Sequence, residues 1–285
     1  MRFAIATADR YLGVFDALLR AGWEPVKLFS TALDNRTDFN QAVIARAAQL
    51  KIEVQLSPIR DRDLEDLAER GCVALVVASY NWRIGNWRSH LAYAVNFHAS
   101  PLPDGRGPYP AVRAILENRR QWGVSCHRLE HDFDAGAVLA QELFPMSADE
   151  SHESLDLKTQ MAAIRLAERV AGNFTELWAG ARDQEEGSYW GRWSEAERTI
   201  DFSRPVADIL RHARAFGLLE SLASINGVMI HVRRVVGWCE EAHRQPPGTL
   251  VHSNNRSLVI AAADGYVGVI EWSLVPAHEA GNIGR

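Results

Sequence analysis

The stretch CVALVVA, residues 72–78, is a continuous apolar run without the alternation of a half-exposed strand. Such a run is typical of a strand in a parallel sheet that is covered on both faces. Outward from it, short apolar segments alternate with amphipathic, helix-like segments from residue 2 to residue 98. This β-α-β-α-β-α-β order predicts an α/β fold, a Rossmann-like parallel sheet with helices on both faces. Ligands bind such sheets at the carboxyl ends of the strands.

The pattern changes in the second half of the chain. Residues 151–180 predict one long amphipathic helix, and a polar segment with three aromatic residues follows. After that segment, a helix precedes short strands at about 228–237, 248–253, 256–262 and 266–273. Short strands at even spacing favour a smaller β-rich domain, OB- or barrel-like. We therefore expect a catalytic domain at 1–180, a linker at 181–202 and a C-terminal β-rich domain at 203–285.

Composition narrows the classes of function. The 285 residues carry a net charge of −5, which does not indicate a protein built mainly to bind phosphate backbones. Three distant cysteines without a CxxC pair argue against a zinc or redox site and fit a reducing cytoplasm. No apolar stretch is long enough to span a membrane. No GxGxxG follows the first strand, which argues against a dinucleotide pocket.

The stretch NFHASPLPDGRGPYP, residues 96–110, holds the first candidate site residues. Side chains alternate between the two faces of a strand, so Asn96 and His98 share one face where the strand ends. Prolines stiffen the loop that follows, and Gly105 and Gly107 allow a close backbone approach. Two polar side chains at this edge of a sheet indicate a reaction site, although a turn asparagine and a core histidine would give the same pattern.

A second polar stretch, HDFDAGAVL at residues 131–139, precedes a predicted strand. It either caps that strand with charged side chains or turns one aspartate into the same crevice as Asn96 and His98. Asp132 and Asp134 are the two candidates for that aspartate.

Together the two stretches contain N-x-H-x-S-x-L-P-x-x-R-G and then D-x-G before a strand, a pattern that resembles the folate-dependent formyltransferase family. The family includes methionyl-tRNA formyltransferase, glycinamide ribonucleotide formyltransferase and the sugar N-formyltransferases. SLDLKT near Ser154 and AERTIDFS at 196–203 also match family positions, so the resemblance extends over most of the chain. The motif residues are Asn96, His98, Ser100, Leu102, Pro103, Arg106, Gly107, Asp134 and Gly136.

The resemblance implies a catalytic trio of Asn96, His98 and Asp134, because Asp134 rather than Asp132 directly precedes Ala135 and the family's glycine. It also implies N10-formyltetrahydrofolate as the formyl donor, and no metal. From acyl-transfer chemistry, we expect the Asn96 amide and a protonated His98 to stabilise the charge that develops on the formyl oxygen. Asp134 would orient His98, raise its pKa and help relay the proton that the amine loses.

The resemblance also implies where folate binds. In the family, the pterin lies beside the loop after the fourth strand and along the backbone near the catalytic aspartate. These segments correspond here to SYNWRIG, residues 79–85, and to residues 129–134. Core packing is the alternative for each aromatic ring. The expected folate contacts are Tyr80, Trp82, Ile84, Ser100, Leu102 and Asp132.

The number of basic residues in the segments that would contact tRNA decides which acceptor amine we predict. Members that modify tRNA carry a basic, glycine-rich insertion after the second strand, whereas residues 30–39 here contain one arginine and two aspartates. Binding nucleic acid requires Lys and Arg, and the consecutive strand residues Arg233 and Arg234 are expected to face opposite ways. The sequence also stops at Arg285, before the extension expected of a tRNA enzyme. We therefore predict a small or carrier-bound amine, such as a nucleotide-linked amino sugar or hydroxyornithine, with methionyl-tRNA as the alternative.

Two other classes of function are compatible with the same residues. A 10-formyltetrahydrofolate hydrolase would use water as the acceptor, but such enzymes usually carry an N-terminal regulatory domain that we do not expect here. A non-catalytic folate-binding scaffold would not need the complete trio. Formate release without an amine would indicate the hydrolase, and tight folate binding without turnover the scaffold. An edge strand of the C-terminal domain could also pair across a homodimer.

Overall fold

The computed structural model describes residues 1–32, 39–240 and 242–275. The chain forms two compact units. The first comprises Met1–Pro110, Gln121–Pro145 and Leu157–Trp190, and the second Ala111–Arg120, Met146–Asp156 and the chain from Gly191 onward. The predicted domain boundaries at residues 180 and 202 stay a prediction. No helix in the described ranges is long and apolar enough to cross a membrane.

A seven-stranded sheet organises the first unit. Its strands are β1 (Arg2–Thr7), β2 (Glu24–Phe29), β3 (Glu53–Gln55), β4 (Ala74–Ala78), β5 (Tyr93–His98), β6 (Gln121–Arg128) and β7 (Val138–Pro145). Their order is β3-β2-β1-β4-β5-β6-β7. The first five are parallel, which confirms the predicted Rossmann-like arrangement, whereas β6 and β7 are antiparallel to their neighbours.

Helices lie between these strands and after the last of them. They are α1 (Leu12–Arg20), α2 (Gln41–Leu50), α3 (Asp61–Glu69), α4 (Pro110–Leu116), α5 (His152–Gly172) and α6 (Phe174–Ala179), with 3-10 turns at Asp9–Tyr11 and Trp87–Ser89. The predicted single helix at 151–180 is therefore wrong in one respect. Asn173, whose φ of −132° is not helical, separates α5 from α6.

Strand β4 explains why the parallel sheet forms. All five of its residues are buried, as the run CVALVVA predicts for a strand covered on both faces. The neighbouring β1 is buried at every position after Arg2. Burying one side chain the size of Val or Leu stabilises a fold by about 1.5–3 kcal/mol. The centre of the sheet is therefore a rigid base for the loops at its carboxyl edge.

Local contacts mark the ends of two helices. Gly22, which the sequence offers as the end of the first helix, follows α1 with a φ of +81°. The Asp9 carboxylate accepts hydrogen bonds from two backbone N–H groups in the first turn of α2, at 3.0 and 2.8 Å. This contact ties the loop after β1 to α2. Thr37, which the sequence offers as a cap for the helix that follows it, lies outside the described residues.

The second unit confirms the predicted β-rich C-terminal region. Its strands are β8 (Ser221–Ile225), β9 (Val228–Cys239), β10 (Leu250–Ser253), β11 (Leu258–Ala261) and β12 (Gly265–Leu274), all antiparallel in the order β10-β11-β12-β9-β8. Its helices are α7 (Glu195–Arg198) and α8 (Val206–Phe216), with a 3-10 turn at Gly217–Leu219. Apolar residues of α8, such as Ile209, pack in one core with residues of β12, such as Val267 and Val269. Strand β8 is not among the predicted strands.

Candidate active site

The candidate site lies at the carboxyl end of β5. Asn96 and His98 occupy alternate positions of this strand, and Asp134 reaches them from the connection between β6 and β7. Asn96 Nδ2 donates to Asp134 Oδ1 at 3.2 Å, and His98 Nδ1 lies 3.4 Å from the same oxygen. The structure thus brings the three predicted residues together. Asp132 stays outside this contact, with its side chain 83% exposed.

Asp134 is held in a backbone conformation that few non-glycine residues adopt. Its φ of +56° lies in the left-handed region, which costs roughly 1–2 kcal/mol for an L-residue. Its Oδ2 accepts a hydrogen bond from Gly107 N at 2.9 Å. Burial raises the pKa of Asp134, but His98, His127 and the Gly107 N–H outweigh it and lower the pKa to about 2. The carboxylate is therefore ionised throughout the neutral range.

His98 is buried, and its two ring nitrogens have different partners. Nε2 lies 2.8 Å from the carbonyl oxygen of Gly105, which can only accept, so Nε2 carries a proton. Burial lowers the pKa of His98, and the opposing effect of the Asp134 charge does not offset it. The expectation that the His98 pKa is raised is therefore contradicted. In the neutral form of His98, the lone pair is on Nδ1, which faces Asp134.

His127 is a site residue that the sequence reasoning missed. It is buried on β6, opposite Asn96 in the antiparallel pairing. Its Nδ1 lies 2.8 Å from the Arg128 carbonyl oxygen and carries a proton, so Nε2 accepts from Asn96 Nδ2 at 3.1 Å. Two acceptors, Asp134 and His127, thus orient the amide of Asn96. The alternation of side chains in VSCHRL indicates that His127 lies on one face of its strand. That face can be matched to the face of Asn96 only once the direction of β6 is known.

Two predicted folate contacts are buried within the loop that follows β5. Ser100 is 0% and Leu102 4% exposed. Ser125 Oγ donates to the Ser100 carbonyl at 2.7 Å and accepts from Leu102 N at 3.0 Å. Gln141 Nε2 donates to the Leu102 carbonyl at 2.7 Å. The structure does not support the expectation that these two side chains contact folate, because they have almost no exposed surface; they pack the loop instead.

The other predicted folate contacts lie on loops beside the trio. Tyr80, Trp82 and Ile84 are partly buried on the loop after β4, and the Tyr80 and Trp82 rings meet edge-to-face at 5.4 Å. Tyr80 and Ile84 also pack against the core, and burial raises the pKa of Tyr80 to about 12. These partly exposed ring surfaces beside polar catalytic groups fit a planar heteroaromatic ring with polar edges. Among the described residues, no group of His, Cys, Asp or Glu could hold a metal ion.

Gly136 meets the backbone of β6 too closely to carry a side chain. A Cβ at this position would lie 1.9 Å from the carbonyl oxygen of Arg128 and 2.8 Å from its carbonyl carbon. Because these are backbone atoms, no side-chain rotation relieves the clash. We expect Gly136→Ala to displace the Asp134 turn and to destabilise the protein by about 1–3 kcal/mol. Urea unfolding and Tm measure this effect.

Gly172→Ala is the matched control, because nothing lies within 4 Å of a Cβ at that position. It removes a glycine at the last residue of α5 and should leave the Tm unchanged or slightly raised. A Gly136→Ala variant as stable as the wild type would contradict the close approach.

An amide, an imidazole and an ionised carboxylate at the carboxyl edge of an open α/β sheet define an acyl-transfer type of site, with one donor, one base and one orienting charge. The comparison with known families identifies which acyl-transfer family the chain matches. Residues 66–170 match the formyl transferase family, and residues 192–277 match its C-terminal domain, together more than half of the chain. The chain belongs to the folate-dependent formyl transferase family.

A curated relative and two solved structures show how far this similarity extends. The methionyl-tRNA formyltransferase of Janthinobacterium sp. (strain Marseille) is 28% identical over 183 residues, which are 62% of this chain and 57% of that protein. The N-formyltransferase from Helicobacter canadensis, crystallised with folinic acid and dTDP-3-aminofucose, covers 95% of this chain and 99% of its own, with a TM-score of 0.68 and 15% identity. A HypX variant from Aquifex aeolicus covers 95% of this chain and 45% of its own, with a TM-score of 0.68 and 18% identity. The two structures establish the shared fold, and this chain spans less than two-thirds of the curated relative.

Proposed function

We propose that this protein transfers a formyl group from N10-formyltetrahydrofolate to a primary amine, and that this amine belongs to a nucleotide-linked amino sugar or another small acceptor. The observation that carries the proposal is the contact of Asn96 and His98 with one oxygen of the ionised Asp134. Membership of the formyl transferase family supports the same reaction. When bound, folate supplies the formyl group, and Tyr80 and Trp82 are the ring surfaces that would hold it.

His98 acts as the base for the proton that the attacking amine loses. Its Nε2–H is bonded to the Gly105 carbonyl, so Nδ1 is the basic atom. The Asp134 carboxylate lies 3.4 Å from Nδ1 and stabilises the imidazolium that forms. A positioned general base of this kind contributes about 10²–10⁴-fold to the rate.

Asn96 supplies the hydrogen-bond donor for the formyl oxygen. Asp134 Oδ1 and His127 Nε2 both accept from its Nδ2, so the amide presents N–H groups on this side of the strand. One N–H group can turn to the charge that develops on the oxygen while the other keeps its partner. Removal of a single donor of this type costs about 100–1000-fold in rate.

Exposed aromatic side chains near the trio support a nucleotide-linked acceptor. We name as the aromatic rim three residues of the first unit that are 41%, 44% and 61% exposed: Tyr109, Phe133 and Tyr189. Tyr109 and Phe133 lie within two residues of the hydrogen bond from Gly107 N to Asp134, and Tyr189 pairs with Arg106 through a backbone bridge. A base stacked on an aromatic ring contributes about 1–3 kcal/mol to binding. The aromatic rim therefore suits an acceptor with a nucleobase.

Methionyl-tRNA is the second candidate acceptor, because the curated relative is named a methionyl-tRNA formyltransferase. The described charges favour it less than the small acceptor. Arg233 and Arg234, expected to face opposite ways, are both exposed where the register of β9 shifts, and Arg234 pairs with Glu271 at 3.4 Å. Arg36, in the segment where a basic insertion would stand, lies outside the described residues.

Release of tetrahydrofolate from N10-formyltetrahydrofolate tests the acceptor, with an amino-sugar nucleotide, hydroxyornithine and charged initiator methionyl-tRNA compared side by side. We expect turnover with the amino-sugar nucleotide. Turnover with tRNA alone would overturn the small acceptor, and formate release without any amine would indicate the hydrolase.

Tyr189→Ala tests the aromatic rim directly. Loss of one stacking ring should raise the KM for the amino-sugar nucleotide about 5- to 150-fold, equivalent to 1–3 kcal/mol, with kcat unchanged. Trp238→Ala removes a comparably exposed ring of the second unit, 46% exposed, and serves as the control. An unchanged KM in Tyr189→Ala would contradict the role of this ring.

A further inference from the structure

A segment distant in sequence from the motif residues is hydrogen-bonded to the loop after β5 and to the turn that carries Asp134. We name residues 184–190 the strap. Gln184 Nε2 donates to the carbonyl oxygens of Asp134 and Gly136, both at 2.7 Å. Gln184 Oε1 accepts from Arg106 Nε at 2.9 Å. One amide side chain therefore joins the turn that carries the catalytic carboxylate to the loop that follows β5.

The rest of the strap holds the loop on which His98 depends. Ser188 Oγ accepts from Gly105 N at 2.9 Å, and the carbonyl of the same Gly105 accepts from His98 Nε2. Arg106 exchanges two backbone hydrogen bonds with the strap, from its N–H to the Ser188 carbonyl at 3.0 Å and from Trp190 N to its own carbonyl at 2.7 Å. The strap thus has hydrogen bonds to the turn that carries Asp134 and to Gly105, the residue that accepts from His98.

We propose that Gln184 is a positioning residue, whose two donated hydrogen bonds hold Asp134 in the left-handed conformation that directs its carboxylate to His98 and Asn96. The proposal rests on the proposed formyl transfer. Without Gln184, the carbonyls of Asp134 and Gly136 lose their shared donor, and the strained φ of +56° at Asp134 loses a constraint. The carboxylate then moves away from Nδ1 of His98.

Two substitutions separate donation from acceptance. Gln184→Met has a similar length and neither donates nor accepts strongly, whereas Gln184→Glu keeps an acceptor for Arg106 Nε and cannot donate to the two carbonyls. We expect both variants to lower kcat about 100-fold, the effect of a displacement near 1 Å, with the folate KM nearly unchanged. Gln49→Met is the control, because Gln49 also accepts from an arginine, Arg46, at 3.1 Å, far from the trio in sequence and exposed.

A second readout does not depend on turnover. Imidazole NMR titration of His98 in the folded protein without folate measures how near the Asp134 charge lies, because that charge acts to raise the His98 pKa. We expect the His98 pKa to fall further in Gln184→Met, which adds no charge, and to stay unchanged in Gln49→Met. Circular dichroism and Tm identify a variant that fails to fold, in which case kcat of the other Gln184 variant carries the test.

The outcomes distinguish this proposal from the proposed function. A wild-type protein without formyl transfer would refute the function, while the NMR titration would still test the strap. Wild-type kcat in Gln184→Glu, or an unchanged His98 titration in Gln184→Met, would refute the positioning role. A rise in KM with kcat unchanged would show that Gln184 acts on binding instead and would also refute it.

Discussion

Asp134→Asn is expected to lower kcat by about 10²–10⁴-fold, the usual contribution of a group that supports acid–base catalysis. The amide has nearly the same size and can still accept from Gly107 N, so the fold should persist. It carries no charge, however, and cannot stabilise an imidazolium on His98. Steady-state release of tetrahydrofolate measures kcat, and fluorescence titration with folinic acid measures whether folate still binds.

Asp16→Asn is the matched control for this variant. Asp16 is also a partly buried aspartate in an ion pair, 2.8 Å from Arg46 Nε, but it belongs to α1. Its replacement should leave kcat unchanged. Asp134→Asn with more than one-tenth of the wild-type kcat would contradict the role assigned to the carboxylate.

His98→Asn is expected to lower kcat by a similar 10²–10⁴-fold and to change its dependence on pH. In the mechanism proposed above, the active form of His98 is the neutral imidazole, and burial lowers the pKa of His98 from the ordinary 6.5. Activity of the wild type should therefore be constant from neutral pH down to about 6.5 and decline only at lower pH, where Nδ1 becomes protonated. Asp134, with a pKa of about 2, stays ionised across this range and cannot cause the decline.

The measurement is kcat against pH at saturating acceptor, for the wild type and for His98→Asn. The residual activity of His98→Asn should lack the decline below pH 6.5, while His252→Asn, at an exposed position on β10, should keep the wild-type profile. A wild-type rate that rises as pH falls below 6.5 would mean that the imidazolium is the active form, as first expected from the sequence.

Strand pattern predicts the sheet well where both faces are buried and poorly elsewhere. CVALVVA identifies β4 because every position is apolar, and the alternation of strands and helices up to residue 98 predicts a parallel sheet but not the order of its strands. β8 is short and contains two serines, one of them buried, so its pattern is weak. The antiparallel direction of β6 depends on pairing with β5 and is absent from its own residues, which is why His127 was missed.

The site residues also divide into those that the local sequence indicates and those that depend on segments distant in the chain. Strand alternation places Asn96 and His98 on one face, whereas their catalytic role and the choice of Asp134 over Asp132 follow from the resemblance to the formyltransferase family. The pKa of His98 depends on burial by many segments at once, so the expectation that rested on the Asp134 charge alone had the wrong sign. Gln184 lies 50 residues from Asp134, and no local pattern connects the two.

That separation has a consequence for synthesis on the ribosome. At about 5–20 residues per second, roughly 3–10 s pass between the addition of Asp134 and the addition of Gln184. During this interval the nascent chain already contains every motif residue, but the carbonyls of Asp134 and Gly136 have only water as a donor in place of Gln184. The two hydrogen bonds from Gln184 to the catalytic turn therefore cannot form until these 50 residues have been added.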